Sequence, residues 1–78
     1  MFIIIENRMR DDDAMPWCNL RGKFERMEEA QARMKSLFLA QRARNTEDKL
    51  YDNECEDDEA HLSWECTPFR YDWYIFEV

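Results

Sequence analysis

The period of apolar residues changes several times along the chain, and each change predicts an element. Phe2-Ile3-Ile4-Ile5 is an aromatic and β-branched run closed by Glu6 and bounded by Asn7 and the polar segment Arg8 to Asp13, which predicts a first strand over residues 2–6. Apolar residues resume at Met15, Trp17, Cys18 and Leu20 before Gly22 breaks the segment. The spacing predicts a second strand, antiparallel to the first, with Pro16 at its start or on an open edge. From Phe24 to Ala43 the period lengthens, and Phe24, Met27, Ala30, Met34, Leu37 and Phe38 fall three or four residues apart on one helical face.

Charge supports that helix. Glu25, Glu28 and Glu29 crowd its first turn and Arg42 and Arg44 its last, as the helix dipole favours, and Glu29 with Arg33 makes an i,i+4 pair. No Ser, Thr, Asp or Asn stands at the expected N-cap, whereas Asn45 offers a C-terminal stop. The next segment, residues 46–59, has only Leu50, Tyr51 and Cys55 to bury and reads as an acidic loop, with one short helical turn opened by Thr46. Alternation then returns twice: Leu62, Trp64 and Cys66 against Ser63 and Glu65, and Phe69, Tyr71 and Trp73 against Arg70 and Asp72. Thr67-Pro68 joins them as a C-terminal hairpin. The expectation is a single α+β domain over 1–78, a small antiparallel sheet in the order β-β-α-β-β with the amphipathic helix packed on one face.

A chain of 78 residues has room for one core, and a domain this size buries only about 60 to 65% of its unfolded surface, which argues against a deep catalytic cleft. The run after Met1 is too short for a signal peptide or a membrane span, which points to a cytoplasmic protein. Three cysteines, Cys18, Cys55 and Cys66, cannot pair completely, so reduced thiols are expected. The net charge of −7 is unevenly placed: residues 1–44 hold nine Lys/Arg against seven Asp/Glu, net +2, and residues 45–78 hold two against eleven, net −9. Such a chain carries a directional field.

That field makes the acidic stretch the most informative feature. Glu47, Asp48, Asp52, Glu54, Glu56, Asp57, Asp58 and Glu59 lie close together, with Asp11, Asp12 and Asp13 as a second cluster. Like charges at this density oppose compaction. Duplex DNA presents one charge per roughly 1.7 Å of axis, so carboxylates at comparable spacing can occupy a nucleic-acid groove on a basic partner. The alternative is a solvated loop that aids solubility.

Other chemistries fit less well. Residues 52–58 have the oxygen ligands of a cation loop but lack the glycine an EF-hand requires. Cys18, Cys55, His61 and Cys66 match a zinc ligand set in type but not in spacing, and Cys18 and Cys66 read more simply as small apolar strand residues. One histidine, no phosphate loop and no nucleophile elbow give no support for an enzyme. No catalytic residue, metal or cofactor is assigned. The C-terminal aromatics Phe69, Tyr71 and Trp73 share one strand face, and Tyr74 and Phe76 are expected to straddle both. One helix can cover only one face of a sheet, so some aromatics should be left for a partner. Direct nucleic-acid binding is disfavoured, because the net −9 half would repel a phosphate backbone.

The layout in which M-F-I-I-I (1–5) leads to a helix entered through F-E-R-M-E-E-A (24–30), with Y-D-W-Y-I-F-E-V (71–78) closing the chain, resembles that of many small phage-encoded proteins. These include anti-CRISPR proteins and other host-takeover inhibitors that bind a nucleic-acid-handling machine of the host, some of them as acidic DNA mimics. The resemblance covers the order of elements, brings no site residue with it, and departs from the usual pattern in lacking a helix cap after Phe24. It implies an inhibitor in the host cytoplasm.

The expected function is therefore occlusion of a basic nucleic-acid-binding surface on a host protein by the eight acids of residues 47–59 with Tyr71, Trp73 and Tyr74, the chain being monomer or homodimer and away from membranes. The alternatives are a dimerisation or docking module using an aromatic sheet face, and a small zinc-binding module.

Overall fold

A computed structural model describes residues 1–11 and 17–78. In chain order the elements are β1 (Phe2–Arg10), β2 (Trp17–Phe24), α1 (Met27–Ala43), β3 (Leu50–Cys55), β4 (Glu59–Trp64) and β5 (Phe69–Glu77). The strands form one five-stranded sheet in the order β2-β1-β5-β4-β3, with every neighbouring pair antiparallel. The chain is thus α+β as expected, with one strand more than the sequence suggested. Asp12, Asp13, Met15 and Pro16 lie outside the described residues. No helix among those described is long and apolar enough to cross a membrane.

Alternation sorts the sheet into two faces. Ile4 on β1, Ala60, Leu62 and Trp64 on β4, and Trp73 and Ile75 on β5 are buried against Ala30, Met34, Leu37 and Phe38 of α1. The centre of this core is Trp73, 0% exposed, whose ring meets Phe38 edge-on at 6.1 Å and stacks on Tyr71 at 5.9 Å. The helix begins at Met27 because Phe24 pairs with Phe2 and so belongs to β2. Arg26 stands at the N-cap with no side-chain hydrogen bond, so the absence of a capping residue in the sequence carries through to the structure.

Asn45 stops the helix through its contacts. Its side-chain amide donates to Thr67 Oγ1 (2.8 Å), its carbonyl accepts from the Trp64 indole (3.0 Å), and its Oδ1 accepts from the Asp48 amide (3.3 Å). Asp48 completes this buckle by accepting from the Thr67 hydroxyl (2.7 Å) and the Cys66 amide (3.0 Å). The helix end, the α1–β3 connection and the β4–β5 turn are thereby tied together.

The segment 46–59 is not one loop: residues 46–49 connect α1 to β3 without the expected helical turn, and the rest is a hairpin. Leu50 to Cys55 pairs with β4, with a register shift between Leu50 and Asp52, and only Glu56 to Asp58 turn the chain. The strand carries no apolar alternation because it is an edge strand, and Leu50 is its one residue packed on the core. Cys66 is likewise corrected: β4 ends at Trp64 and the thiol is exposed, as is that of Cys18 on β2.

Candidate functional site

The charges of the chain are sorted onto opposite edges of the sheet. At the β3–β4 edge, the Glu56 amide donates to the Glu59 carbonyl (2.8 Å) and the Ile75 amide to the Asp58 carbonyl (2.9 Å), which fastens the turn to both of its neighbours. Glu54, Glu56, Asp57 and Asp58 are exposed on this hairpin. None of the four pairs with a cation among the described residues.

The remaining expected acids stand elsewhere, and three of them, Asp48, Asp52 and Glu59, have partners of their own. Asp48 belongs to the buckle, and its carboxyl is held below the ordinary value of 3.8 chiefly by the Thr67 hydroxyl, assisted by backbone amides. Asp52 accepts from Ser63 Oγ (3.0 Å) and lies 3.4 Å from Arg70 Nη1. Glu59 faces His61 Nε2 at 3.7 Å. Glu47 is exposed in the α1–β3 connection, away from the hairpin turn in sequence. Of the eight acids expected to form one surface, the fold leaves four together and free at the hairpin.

The aromatic part of the expectation divides in the same way. Trp73 is core and Tyr71 packs under the helix with it, so neither can meet a partner on the uncovered face. Tyr74 does lie on that face. Tyr74 and Phe76 do not straddle the sheet but share its outer side with Arg70 and Asp72, because all four occupy alternate positions of β5. With Ile3, Ile5 and Leu20 from the paired positions of β1 and β2, they make an apolar region that the helix leaves uncovered, in which Phe76 is 50% and Leu20 53% exposed.

Beside it runs a polar ladder. Arg70 grips Asp72 through Nε and Nη2, each at 3.1 Å, and His61 Nδ1 lies 2.6 Å from Asp72 Oδ1. A carboxylate can only accept, so Nδ1 carries the proton. Burial opposes charging of the imidazole, but the hydrogen bond and charge of Asp72, with Glu59 behind it, raise its pKa above the ordinary 6.5. Ser63 spends its hydroxyl proton on Asp52, so Ser63, His61 and Asp72 do not form a nucleophile relay.

The zinc set is likewise not assembled: Cys18 and Cys55 stand on opposite edge strands of the sheet, and His61 is engaged by Asp72. Burial raises the Cys55 thiol pKa above 9.0, against a weaker pull from Lys35. No group of three His, Cys, Asp or Glu side chains suited to a metal occurs among the described residues.

The β2 edge holds what sequence reasoning did not foresee. Between α1 and the β1–β2 pair lies a cleft of about 350 Å³, into which Arg8, Arg21 and Arg44 converge around Glu6, with Trp17 and Tyr71 as aromatic walls. Glu6 accepts from the Trp73 indole at 2.7 Å and faces Arg21 at 3.6 Å. The Arg8 guanidinium lies 4.5 Å over the Trp17 ring and 5.1 Å from Phe69.

A bulge builds this site. The β1–β2 register jumps between Ile4 and Ile5, so Arg21 is an extra residue and turns to the helix side along with Trp17 and Asn19. Gly22 permits the bulge, because the Phe24 ring crosses it so closely that a Cβ would stand 2.6 Å from a ring carbon. The only sequence signals were the net positive first half and the lone glycine. Compared with known proteins, the chain matches no family model, no curated protein and no solved structure.

Proposed function

We propose that this chain is a stoichiometric binding protein that seats its β3–β4 hairpin on a basic, nucleic-acid-binding surface of a partner protein and blocks it. The observation that carries this reading is the group Glu54, Glu56, Asp57 and Asp58, exposed and unpaired with any cation among the described residues on a turn fastened by backbone hydrogen bonds. Fixed charges of one sign bind with less ordering cost than charges on a mobile segment. Glu54 ends the strand side of this group and Glu56, Asp57 and Asp58 are successive residues of the turn, so four negative charges lie within residues 54–58. The hairpin can therefore stand in for a short stretch of phosphates. A host-directed inhibitor of this kind, working in the cytoplasm, needs no catalytic group.

A lysate of the cells that carry the protein, adsorbed on a DNA column, tests this directly. The purified protein should displace a specific DNA-bound protein and remain in complex with it, with affinity falling steeply between about 50 and 500 mM salt. The variant E54Q/E56Q/D57N/D58N should displace nothing; equal displacement by it would sink the reading.

A second reading rests on a different surface. The uncovered apolar region of Ile3, Ile5, Leu20, Tyr74 and Phe76 is suited to a second copy of the chain or to another protein. Leu20→Asp and Phe76→Asp would then abolish association measured by light scattering, at any salt concentration, while the hairpin substitutions would leave it intact.

A further inference from the structure

We infer that the cleft between α1 and the β1–β2 pair is a binding site for a nucleoside monophosphate, independent of the acidic hairpin. Charge is the first argument. Arg8, Arg21 and Arg44 bring three positive charges to the cleft and Glu6 one negative, leaving a local excess of two in a chain whose net charge is −7. Glu6 is largely buried and already committed to the Trp73 indole and to Arg21, so it neutralises one guanidinium and no more. A phosphomonoester carries about −1.5 to −2 at neutral pH and accepts hydrogen bonds on three oxygens, which matches what the arginines leave unanswered.

The walls supply the second argument. Trp17 is 58% exposed, with the Arg8 guanidinium held over its ring at 4.5 Å. An exposed indole beside guanidinium groups offers a platform on which a flat base can stack. Asn19 and Gln41 line the same cleft, and their amides can donate to and accept from the edge of a base. At about 350 Å³ the cleft falls in the size range of small-ligand sites, roughly 300–1,000 Å³.

A polynucleotide is the poorer fit. Its continuing backbone would meet the repulsion of a chain with net charge −7, whereas a mononucleotide confines its charge to the one place where this surface is positive. A phosphotyrosine peptide shares the phosphate and a ring, but a phenol has no polar edge to use Asn19 and Gln41.

Calorimetric titration of the purified protein with AMP, GMP, CMP and UMP, each beside its nucleoside, inorganic phosphate and a phosphotyrosine peptide, decides the matter. At least one nucleotide should bind saturably, and at least about tenfold more tightly than its nucleoside, than phosphate and than the peptide. Arg44→Gln and Trp17→Ala alter side chains on the surface of the cleft, and each should weaken that binding about tenfold or more while circular dichroism stays unchanged. No saturable binding by any nucleotide, tighter binding of the peptide, or affinity unaffected by both substitutions would overturn the proposal. The charge-neutral hairpin variant E54Q/E56Q/D57N/D58N should bind the nucleotide as the parent does, so the cleft and the hairpin can fail separately.

Discussion

At the β2 edge, three arginines converge on a concave site around the Glu6 carboxylate, which accepts from the core indole of Trp73; at the β3 edge, four carboxylates project from an exposed hairpin. Both are concentrations of like charge, but the protein holds them differently. Two of the arginines are stabilised individually, Arg21 by Glu6 and Arg8 by aromatic faces, and Glu6 binds the cleft to the core through the Trp73 indole. The hairpin acids are restrained only through their backbone, and their side chains contribute little to the fold. Substitutions at the residues that tie the cleft to the core should therefore cost stability, and substitutions of the hairpin acids should cost only binding.

The largest effect is expected in the core beneath the cleft. Trp73→Ala removes a fully buried indole from against Phe38 and leaves the Glu6 carboxylate without its donor. Urea unfolding should show a loss of about 3–5 kcal/mol, comparable to the stability of many domains of this size. A fully folded variant of unchanged stability would erase the contrast between the core beneath the cleft and the hairpin.

Trp73 also marks where the sequence could be read and where it could not. Period-two alternation assigns Tyr71 and Trp73 to one face correctly, but it does not say that α1 packs on that face. Strand β3 escaped detection because an edge strand needs no apolar stripe: Asp52 and Glu54 point outward, and Asn53, across the ladder, accepts from Arg42 of the helix at 3.1 Å. The cleft was invisible for a third reason. Arg8, Arg21 and Arg44 are brought together by strand pairing, a one-residue bulge and the far end of the helix, none of which leaves a local pattern. The helix was legible because Ala30, Met34, Leu37 and Phe38 are both periodic and buried, so local and tertiary preferences agree.

A smaller effect is expected at Asp48, the acid that the fold uses. Asp48→Ala removes acceptors from the Thr67 hydroxyl and the Cys66 amide, so Tm should fall in a thermal melt while binding through the hairpin persists. Loss of binding without loss of stability would move Asp48 back among the partner-contacting acids.

Smaller still is the pH dependence of the outer ladder. His61 faces Asp72, Glu59, Arg70 and Tyr74, with Glu54 opposite it on β3. Its folded pKa is raised above 6.5, so its contribution is fully present below that value and is lost as pH rises through the folded pKa. Stability should decline between about pH 6 and pH 8 by an amount that His61→Gln removes. A rise in parent stability over that interval, with the variant flat, would reverse the sign of the His61–Asp72 interaction.

The smallest change in stability is expected where the change in charge is greatest. E54Q/E56Q/D57N/D58N removes four negative charges from a chain of net −7, yet these side chains contribute no ion pair among the described residues, and the hairpin turn is fastened by the Glu56 and Ile75 amides. Relief of mutual repulsion should leave the midpoint of unfolding equal to or slightly above that of the parent, within about 0.5 kcal/mol per site. If the acids were instead needed for the fold, the variant would lose stability and its loss of partner binding would mean nothing. A stable variant that no longer binds, measured beside a Trp73 variant that no longer folds, would separate the core that builds this protein from the hairpin that it presents.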